Sequence, residues 1–143
     1  MNHDDTISLI CQIRLEADDL LIKALREAHV EGIVPSHGAI LFNLFAEKKL
    51  PMNILAARIG KTPQTVTTLV QKLRTLGYLE TEKSEEDKRT TLVSLTEEGE
   101  KLQPVFMNIS QMLYEKQYMG MEEDDIAQLR RLLKKMSDNL QTP

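Results

Sequence analysis

The sequence predicts a mainly α-helical protein of α+β type, folded as a single domain over residues 1–143. Six segments place apolar residues at helical spacing, and glycines, prolines and capping residues separate these segments. Only two short runs, between residues 78 and 95, are rich in β-formers. A composition of 41% hydrophobic and 28% charged residues is that of an ordinary globular protein.

The first predicted helix runs from Ile7 to about Val30, where apolar residues recur at helical spacing over more than five turns. Gly32 and Pro35 end it. Ser36 then stands where an N-cap is expected, before a second, more apolar helix from His37 to Ala46.

Two shorter helices follow, separated by three residues. Pro51 precedes a third helix over Met52–Ile59, which Gly60 ends. Thr62 is a good N-cap for the fourth helix, and Pro63 suits its first position because the missing N–H needs no partner there. The residues expected to point inward are Ile54, Leu55 and Ile59 in the third helix and Val66, Leu69, Val70, Leu73 and Leu76 in the fourth.

A hairpin and two closing helices complete the prediction. Tyr78–Lys83 and Thr90–Leu95 are β-prone runs around a polar tip, so we expect a two-stranded hairpin. Thr96 can cap a helix with acids in its first turn. The last two helices are expected over residues 97–118 and 122–140.

The charge distribution points to a polyanionic partner although the net charge is −4. Residues 48–79 contain six basic residues and no Asp or Glu. A basic window in an otherwise acidic chain is typical of a surface that faces phosphates. The basic residues are Lys48, Lys49, Arg58, Lys61, Lys72 and Arg74.

The third and fourth helices, joined by a short turn, predict a helix-turn-helix whose second helix enters the major groove of DNA. Its outward face carries Gln, Thr and Lys and no acid, which suits base edges and phosphates better than an ordinary solvated face does. The predicted recognition-helix residues are Lys61, Thr62, Gln64, Thr65, Thr67, Thr68, Gln71 and Lys72.

From residue 52 to residue 102 the chain resembles the winged helix-turn-helix core of the MarR family of transcriptional regulators. The most characteristic stretch is Asp87-Lys88-Arg89 followed by strand residues and then by Leu95-Thr96-x-x-Gly99. The resemblance implies a winged helix-turn-helix core at about 36–96, with dimerisation helices at about 5–32 and 97–143. It also implies that Arg89 reaches the minor groove while Asp87 holds the wing, so that Asp87, Lys88 and Arg89 form the wing site.

The function predicted from these features is sequence-specific binding of double-stranded DNA by a homodimeric, cytoplasmic regulator without a membrane segment. We expect a repressor that leaves a pseudo-palindromic operator when a small-molecule effector or an oxidant acts on it. The alternative is a winged-helix module that binds proteins and not DNA. Salt-dependent binding of a duplex would separate the two.

No catalytic residue, metal site or cofactor is expected. The three histidines and one cysteine are scattered, and phosphate-loop, dinucleotide and hydrolase motifs are missing from the sequence. Cys11 admits two interpretations. Its position resembles that of redox-sensing cysteines in the family, but the first helix has no tyrosine to hold such a site, so a buried apolar cysteine in a dimer interface is favoured.

Overall fold

The computed structural model describes residues 3–141, which form two compact units with a boundary after Ser110. Seven helices and three strands lie in this part of the chain. In chain order they are α1 (Thr6–Glu27), α2 (Pro35–Glu47), β1 (Lys49–Pro51), α3 (Met52–Ile59), α4 (Pro63–Thr75), β2 (Leu79–Lys83), β3 (Thr91–Leu95), α5 (Glu97–Glu100), α6 (Leu102–Gln117) and α7 (Glu123–Gln141). Helix α6 begins in the first unit and continues into the second. Within residues 3–141, no helix is both long enough and apolar enough to span a bilayer.

The start of α2 differs from the prediction. Val34 occupies the N-cap position, Pro35 is the first helical residue, and Ser36 is already inside the helix. The backbone N–H of Val34 donates to Nδ1 of His37 over 3.0 Å, so a histidine in the first turn satisfies the group that precedes the helix. The prediction that Ser36 caps this helix was therefore wrong, because Pro35 fits the first helical position without losing a hydrogen bond.

The prediction for α3 and α4 is confirmed in their bounds and nearly so in their faces. Helix α3 covers the predicted eight residues, and Gly60 ends it in the left-handed conformation with φ of 66°. Leu55 is buried as expected, but Ala56 is the second buried residue, and Ile54 stays 36% exposed. In α4 the predicted inward face is the buried face, led by Val66, Val70 and Leu73.

The sheet has three antiparallel strands in the order β1-β3-β2, one more than the predicted hairpin. Strand β1 pairs Leu50 with Val93, and β2 pairs Thr81 with the same Val93 from the other side. Three residues are too few to show an alternating pattern in the sequence. Pro51 is tolerated because β1 is an edge strand, where a missing N–H breaks no interior ladder.

The core of the first unit lies between the helix-turn-helix and the sheet. Its fully buried side chains come from α2, α3, α4 and β3, and α1 adds the buried Leu25. Phe42, Phe45 and Phe106 pack with ring centroids 5.8 to 5.9 Å apart. The most completely buried residues are Ile40, Leu41, Leu44, Leu55, Val66, Val70, Leu73 and Val93.

The long helix predicted over residues 97–118 is divided into α5 and α6 at Lys101. Pro104 explains the division, because it cannot donate a hydrogen bond back to the carbonyl of Glu100 and is tolerated only in the first turn of a new helix. Thr96 caps α5 by accepting a hydrogen bond from the N–H of Gly99 over 3.1 Å. The cap was predicted; the break was not.

Candidate nucleic-acid interface

Helix α4 is held against the rest of the first unit by one apolar face and one cap. Its buried face packs on α2 and α3. The hydroxyl of Thr62 accepts a hydrogen bond from the N–H of Thr65 over 3.2 Å and thereby fixes where the helix begins. The Oγ1 atoms of the same two threonines lie 2.9 Å apart. The opposite face of α4 is consequently presented to solvent at a defined angle.

All eight residues predicted for the recognition helix and the turn before it are exposed. They carry two positive charges and no negative charge, as the sequence requires. Gln64, Thr68 and Gln71 lie together on the side of α4 opposite its buried residues. The remaining five, on the flanks and in the turn, are Lys61, Thr62, Thr65, Thr67 and Lys72.

Intrahelical hydrogen bonds organise this face. The hydroxyl of Thr67 donates to the carbonyl oxygen of Pro63 over 2.8 Å, and that of Thr68 donates to the carbonyl oxygen of Gln64 over 3.1 Å. Gln71 accepts a hydrogen bond at Oε1 from Nη1 of Arg74 over 3.2 Å. Arg74 was predicted as part of the basic window but not as a partner of Gln71; their spacing of three residues on a helix was the available signal.

His37 of α2 lies near Lys72 of α4 and is 5% exposed. Burial, followed by the positive charge of Lys72, lowers the pKa of His37 below its ordinary value. The imidazole is therefore neutral at physiological pH, and its Nδ1 is free of a proton to accept the hydrogen bond from Val34. The first turn of α2 depends on this neutral form.

The wing turn between β2 and β3 is organised by Asp87. Its Oδ1 accepts hydrogen bonds from the backbone N–H of Arg89 over 3.0 Å and from Nε of Arg89 over 3.4 Å. Its backbone carbonyl accepts the N–H of Thr90 over 2.9 Å, and its own N–H donates to Oγ of Ser84 over 3.3 Å. The Arg89 side chain remains 94% exposed. Asp87 thus sets the turn, and Arg89 projects from it beside the exposed Lys88.

The wing also carries acids that were not among the predicted site residues. Residues 80–89 contain five acidic and three basic side chains, in contrast to the acid-free window that precedes them. Glu82 pairs with Lys49 of β1 and raises the pKa of that lysine, whereas Glu85 and Glu86 are exposed near the tip. The proposed interface therefore joins a basic helix to an acidic wing.

Cys11 lies on α1 and is exposed in the single chain. The exposed residues around it on this helix include four large apolar side chains, those of Ile7, Leu9, Ile13 and Leu15. The exposure of Cys11 in the single chain is compatible with both interpretations. In a dimer interface a second chain would cover the cysteine, and in a redox sensor an oxidant would reach it.

Helix α3, the three-residue turn, helix α4 and the β2–β3 hairpin packed beside them define a winged helix-turn-helix protein. Residues 31–90 match the sequence model of the MarR family. This match includes the Asp87-Lys88-Arg89 stretch that carries the resemblance to the MarR family.

Curated relatives are similar to this chain over part of its length. The chain is 29% identical over 94 residues to the HTH-type transcriptional regulator SarZ of Staphylococcus saprophyticus, covering 66% of this chain and 63% of that protein. It is 30% identical over 78 residues to the HTH-type transcriptional repressor IacR of Pseudomonas putida, covering 54% of this chain and 47% of that protein. The chain thus spans less than two thirds of the length of these relatives. They are named as regulators, in agreement with the prediction of a non-enzymatic protein.

Solved structures show the same fold. Staphylococcus aureus MepR in a complex with DNA superposes with a TM-score of 0.87 at 22% identity, covering 96% of this chain and 99% of that chain. A mutant of Escherichia coli MarR in a complex with operator DNA superposes with a TM-score of 0.82, also at 22% identity, covering 95% and 99% of the two chains.

Proposed function

We propose that this protein is a transcriptional regulator that binds a specific double-stranded DNA sequence as a homodimer. The observation that carries the proposal is the exposed face of α4, which combines amide, methyl and ammonium groups without one carboxylate. A solvated helix face normally mixes Glu with Lys, whereas a face that enters a groove lined by phosphates must avoid acids. The relatives named as regulators and the DNA complexes of proteins with this fold support the same function.

In the proposed complex α4 lies in the major groove. Gln64 and Gln71 present amides to base edges, and Lys61 and Lys72 neutralise phosphates. Arg89, whose side chain is 94% exposed at the wing turn, enters an adjacent minor groove, where the potential is most negative in narrow A/T-rich segments. Asp87 contributes by holding the turn and limiting the motion of the guanidinium.

The homodimer is supported by apolar surface that each unit leaves exposed. Helix α1 exposes apolar side chains along much of its N-terminal half. Helix α7 carries apolar residues at alternating spacings of three and four, the pattern of a helix that packs along another helix. These residues are Ile126, Leu129, Leu133, Met136 and Leu140. Two recognition helices related by a two-fold axis would read half-sites about one helical turn apart.

We infer that the effect on transcription is repression and that a small molecule or an oxidant relieves it. The relative named as a repressor supports the first part. An open pocket of about 400 Å³ in the first unit is compatible with the second, since its volume lies within the range of small-ligand sites. Apolar and charged side chains line it together: Phe45, Lys48, Leu95, Glu100, Gln103 and Pro104. Cys11 is the candidate group for an oxidant.

The experiment that tests DNA binding is a titration of duplexes, selected by the wild-type protein from a random library, at several salt concentrations. Affinity should fall steeply with salt because binding releases counterions. Lys72→Ala should weaken all duplexes alike and flatten the salt slope, whereas Gln64→Ala should relax base preference by about 1 to 3 kcal/mol. Arg89→Ala should weaken binding most on duplexes with A/T-rich flanks.

Binding that is absent or independent of salt would contradict the proposal. It would favour the alternative of a winged-helix module that binds proteins. Equal, sequence-independent losses in the lysine and glutamine variants would show that a different face of α4 meets DNA.

A further inference from the structure

We propose that Thr68 reads the 5-methyl group of thymine through its own methyl group, and not a polar base edge through its hydroxyl. The inference rests on the proposed DNA binding and names part of the sequence that the protein selects. A threonine in a recognition helix can in principle serve either purpose, since it offers both a hydroxyl and a methyl group. In this chain the hydrogen bonds of α4 leave the Thr68 hydroxyl no hydrogen to donate to a base, which favours the methyl group as the reading group.

The hydroxyl hydrogen of Thr68 is already used within the helix. A threonine hydroxyl has one hydrogen to donate, and Thr68 donates it to the carbonyl oxygen of Gln64 over 3.1 Å. Thr67 and Thr75 make the same bond to the carbonyls of Pro63 and Gln71, over 2.8 and 3.0 Å. The pattern recurs along α4 and holds these threonines in one arrangement, with the oxygen turned to the backbone of the preceding turn.

This arrangement leaves the methyl group as the outward branch of the side chain. The oxygen and the methyl occupy different staggered positions on Cβ, so fixing the oxygen against the backbone fixes the methyl away from it. Thr68 is exposed and lies between Gln64 and Gln71 on the face opposite the buried Val66 and Val70. The centre of the proposed reading face is therefore a small apolar group flanked by two amides.

The chemistry of the major groove matches that group to thymine. Among the four bases, thymine alone presents a methyl group there, and contact between two methyl groups removes apolar surface from water. The flanking glutamines can supply the polar contacts. Gln71 already accepts a hydrogen bond from Arg74 at Oε1, so its amide hydrogens are the part that remains for a base acceptor. Together these groups favour an A/T pair opposite Thr68.

The test removes single methyl groups, from the thymines of the DNA and from Thr68 of the protein. Wild-type protein is titrated with its selected duplex and with versions in which single thymines are replaced by deoxyuridine, which lacks only the methyl group. The same duplexes are titrated with Thr68→Ser, which keeps the hydroxyl, and with Thr68→Val, which keeps the methyl. Thr75→Ser serves as a control for the substitution itself, because it changes the same backbone-bonded residue type two turns farther along α4.

At one thymine of each half-site we expect deoxyuridine to weaken wild-type binding about three- to tenfold. Thr68→Ser should bind the thymine duplex correspondingly less tightly and be insensitive to deoxyuridine, whereas Thr68→Val and Thr75→Ser should behave as wild type. Loss of binding in Thr68→Val together with wild-type binding in Thr68→Ser would overturn the inference, since the hydroxyl would then be the reading group. Wild-type protein that binds thymine and deoxyuridine duplexes alike at every position would also overturn it, while leaving DNA binding intact. Absence of salt-sensitive binding to any duplex would overturn the proposed function, and this inference with it.

Discussion

Gly99 occupies a position where the backbone of another segment comes too close for any side chain. A Cβ placed on it would stand 2.1 Å from the carbonyl oxygen of Tyr78 and 3.1 Å from Cδ2 of Leu95. The same carbonyl accepts the N–H of Thr96 over 3.0 Å, and the hydroxyl of Thr96 donates to the carbonyl of Gly77 over 2.6 Å. Through these contacts the Leu95-Thr96-x-x-Gly99 stretch binds the end of the wing to the residues that follow α4.

We predict that Gly99→Ala lowers the free energy of unfolding by roughly 2 to 4 kcal/mol, because two backbone segments must separate to admit one methyl group. Gly38→Ala is the matched control. A Cβ at Gly38 would meet only Cε1 of Phe106 at 4.0 Å, and alanine is the better helix former, so this change should stabilise the protein by about 0.5 to 1 kcal/mol. Chemical denaturation at one protein concentration measures both. Equal effects at the two glycines would contradict the close approach at Gly99.

A second prediction at this scale concerns pH and His37. Because its pKa is lowered in the folded protein, the unfolded chain takes up a proton first as the pH falls. The contribution of His37 to stability is therefore complete above its unfolded pKa of about 6.5 and declines as the pH drops through that value toward the folded pKa. His37→Asn keeps an acceptor near the position of Nδ1 but does not titrate.

The measurement is the difference in unfolding free energy between wild type and His37→Asn from pH 8 to pH 5. Carboxylates common to both proteins cancel in this difference. Wild type should lose stability relative to the variant below about pH 6.5. A difference that is constant with pH would show that the imidazole is not held neutral by its surroundings.

At the scale of elements, the wing is acidic whereas helix α4 beside it is basic. Helix α4 and the turn before it are free of acids, whereas the hairpin carries Glu85 and Glu86 next to the turn that presents Arg89. If the hairpin lies along DNA as proposed, these carboxylates face phosphates. Their repulsion would reduce non-specific binding more than specific binding, since only a correct site also gains the contacts of α4.

We therefore predict that the double variant Glu85→Gln, Glu86→Gln binds any duplex several-fold more tightly at low salt and discriminates less between selected and random sequences. Glu16→Gln with Glu27→Gln on α1, which packs on α2, makes the same change in net charge away from the hairpin and should bind as wild type. Parallel titrations at low and high salt measure the effect, which screening should diminish. Unchanged affinity at low salt would mean that the wing tip does not approach DNA.

At the scale of the whole molecule, α1 and α7 each expose apolar residues that the second chain of the proposed homodimer would cover. Leu129 and Leu133 of α7 are 38% and 41% exposed, and they belong to a row of apolar residues along one side of that helix. Leu133→Glu should place a charge in this row and favour the monomer, whereas Gln128→Glu makes the same charge change away from it.

Light scattering over a range of concentrations should give twice the mass of the chain for wild type and Gln128→Glu, and a lower mass for Leu133→Glu. Circular dichroism checks that the helices remain. A wild-type mass equal to that of one chain at micromolar concentration would contradict the homodimer, and with it the proposed two-fold operator.

The sequence by itself determined the elements whose causes are local. The bounds of α3, the cap and buried face of α4, and the hairpin position follow from apolar spacing and from Gly60 and Thr62, which act within one helical turn. The resemblance to the MarR family was available for the same reason, because Asp87 and Arg89 lie in one short turn.

Only the tertiary structure decided the features that join distant segments. Strand β1 exists because Leu50 meets Val93, and the start of α2 depends on a buried histidine. Gly99 is required by a backbone carbonyl that precedes it by some twenty residues in the sequence. The use of the Thr68 hydroxyl is local, yet a threonine at that position is equally compatible with either role until its rotamer is known. Periodicity and capping reflect interactions between residues that are close in sequence. They carry no information on which residues distant in sequence will come into contact.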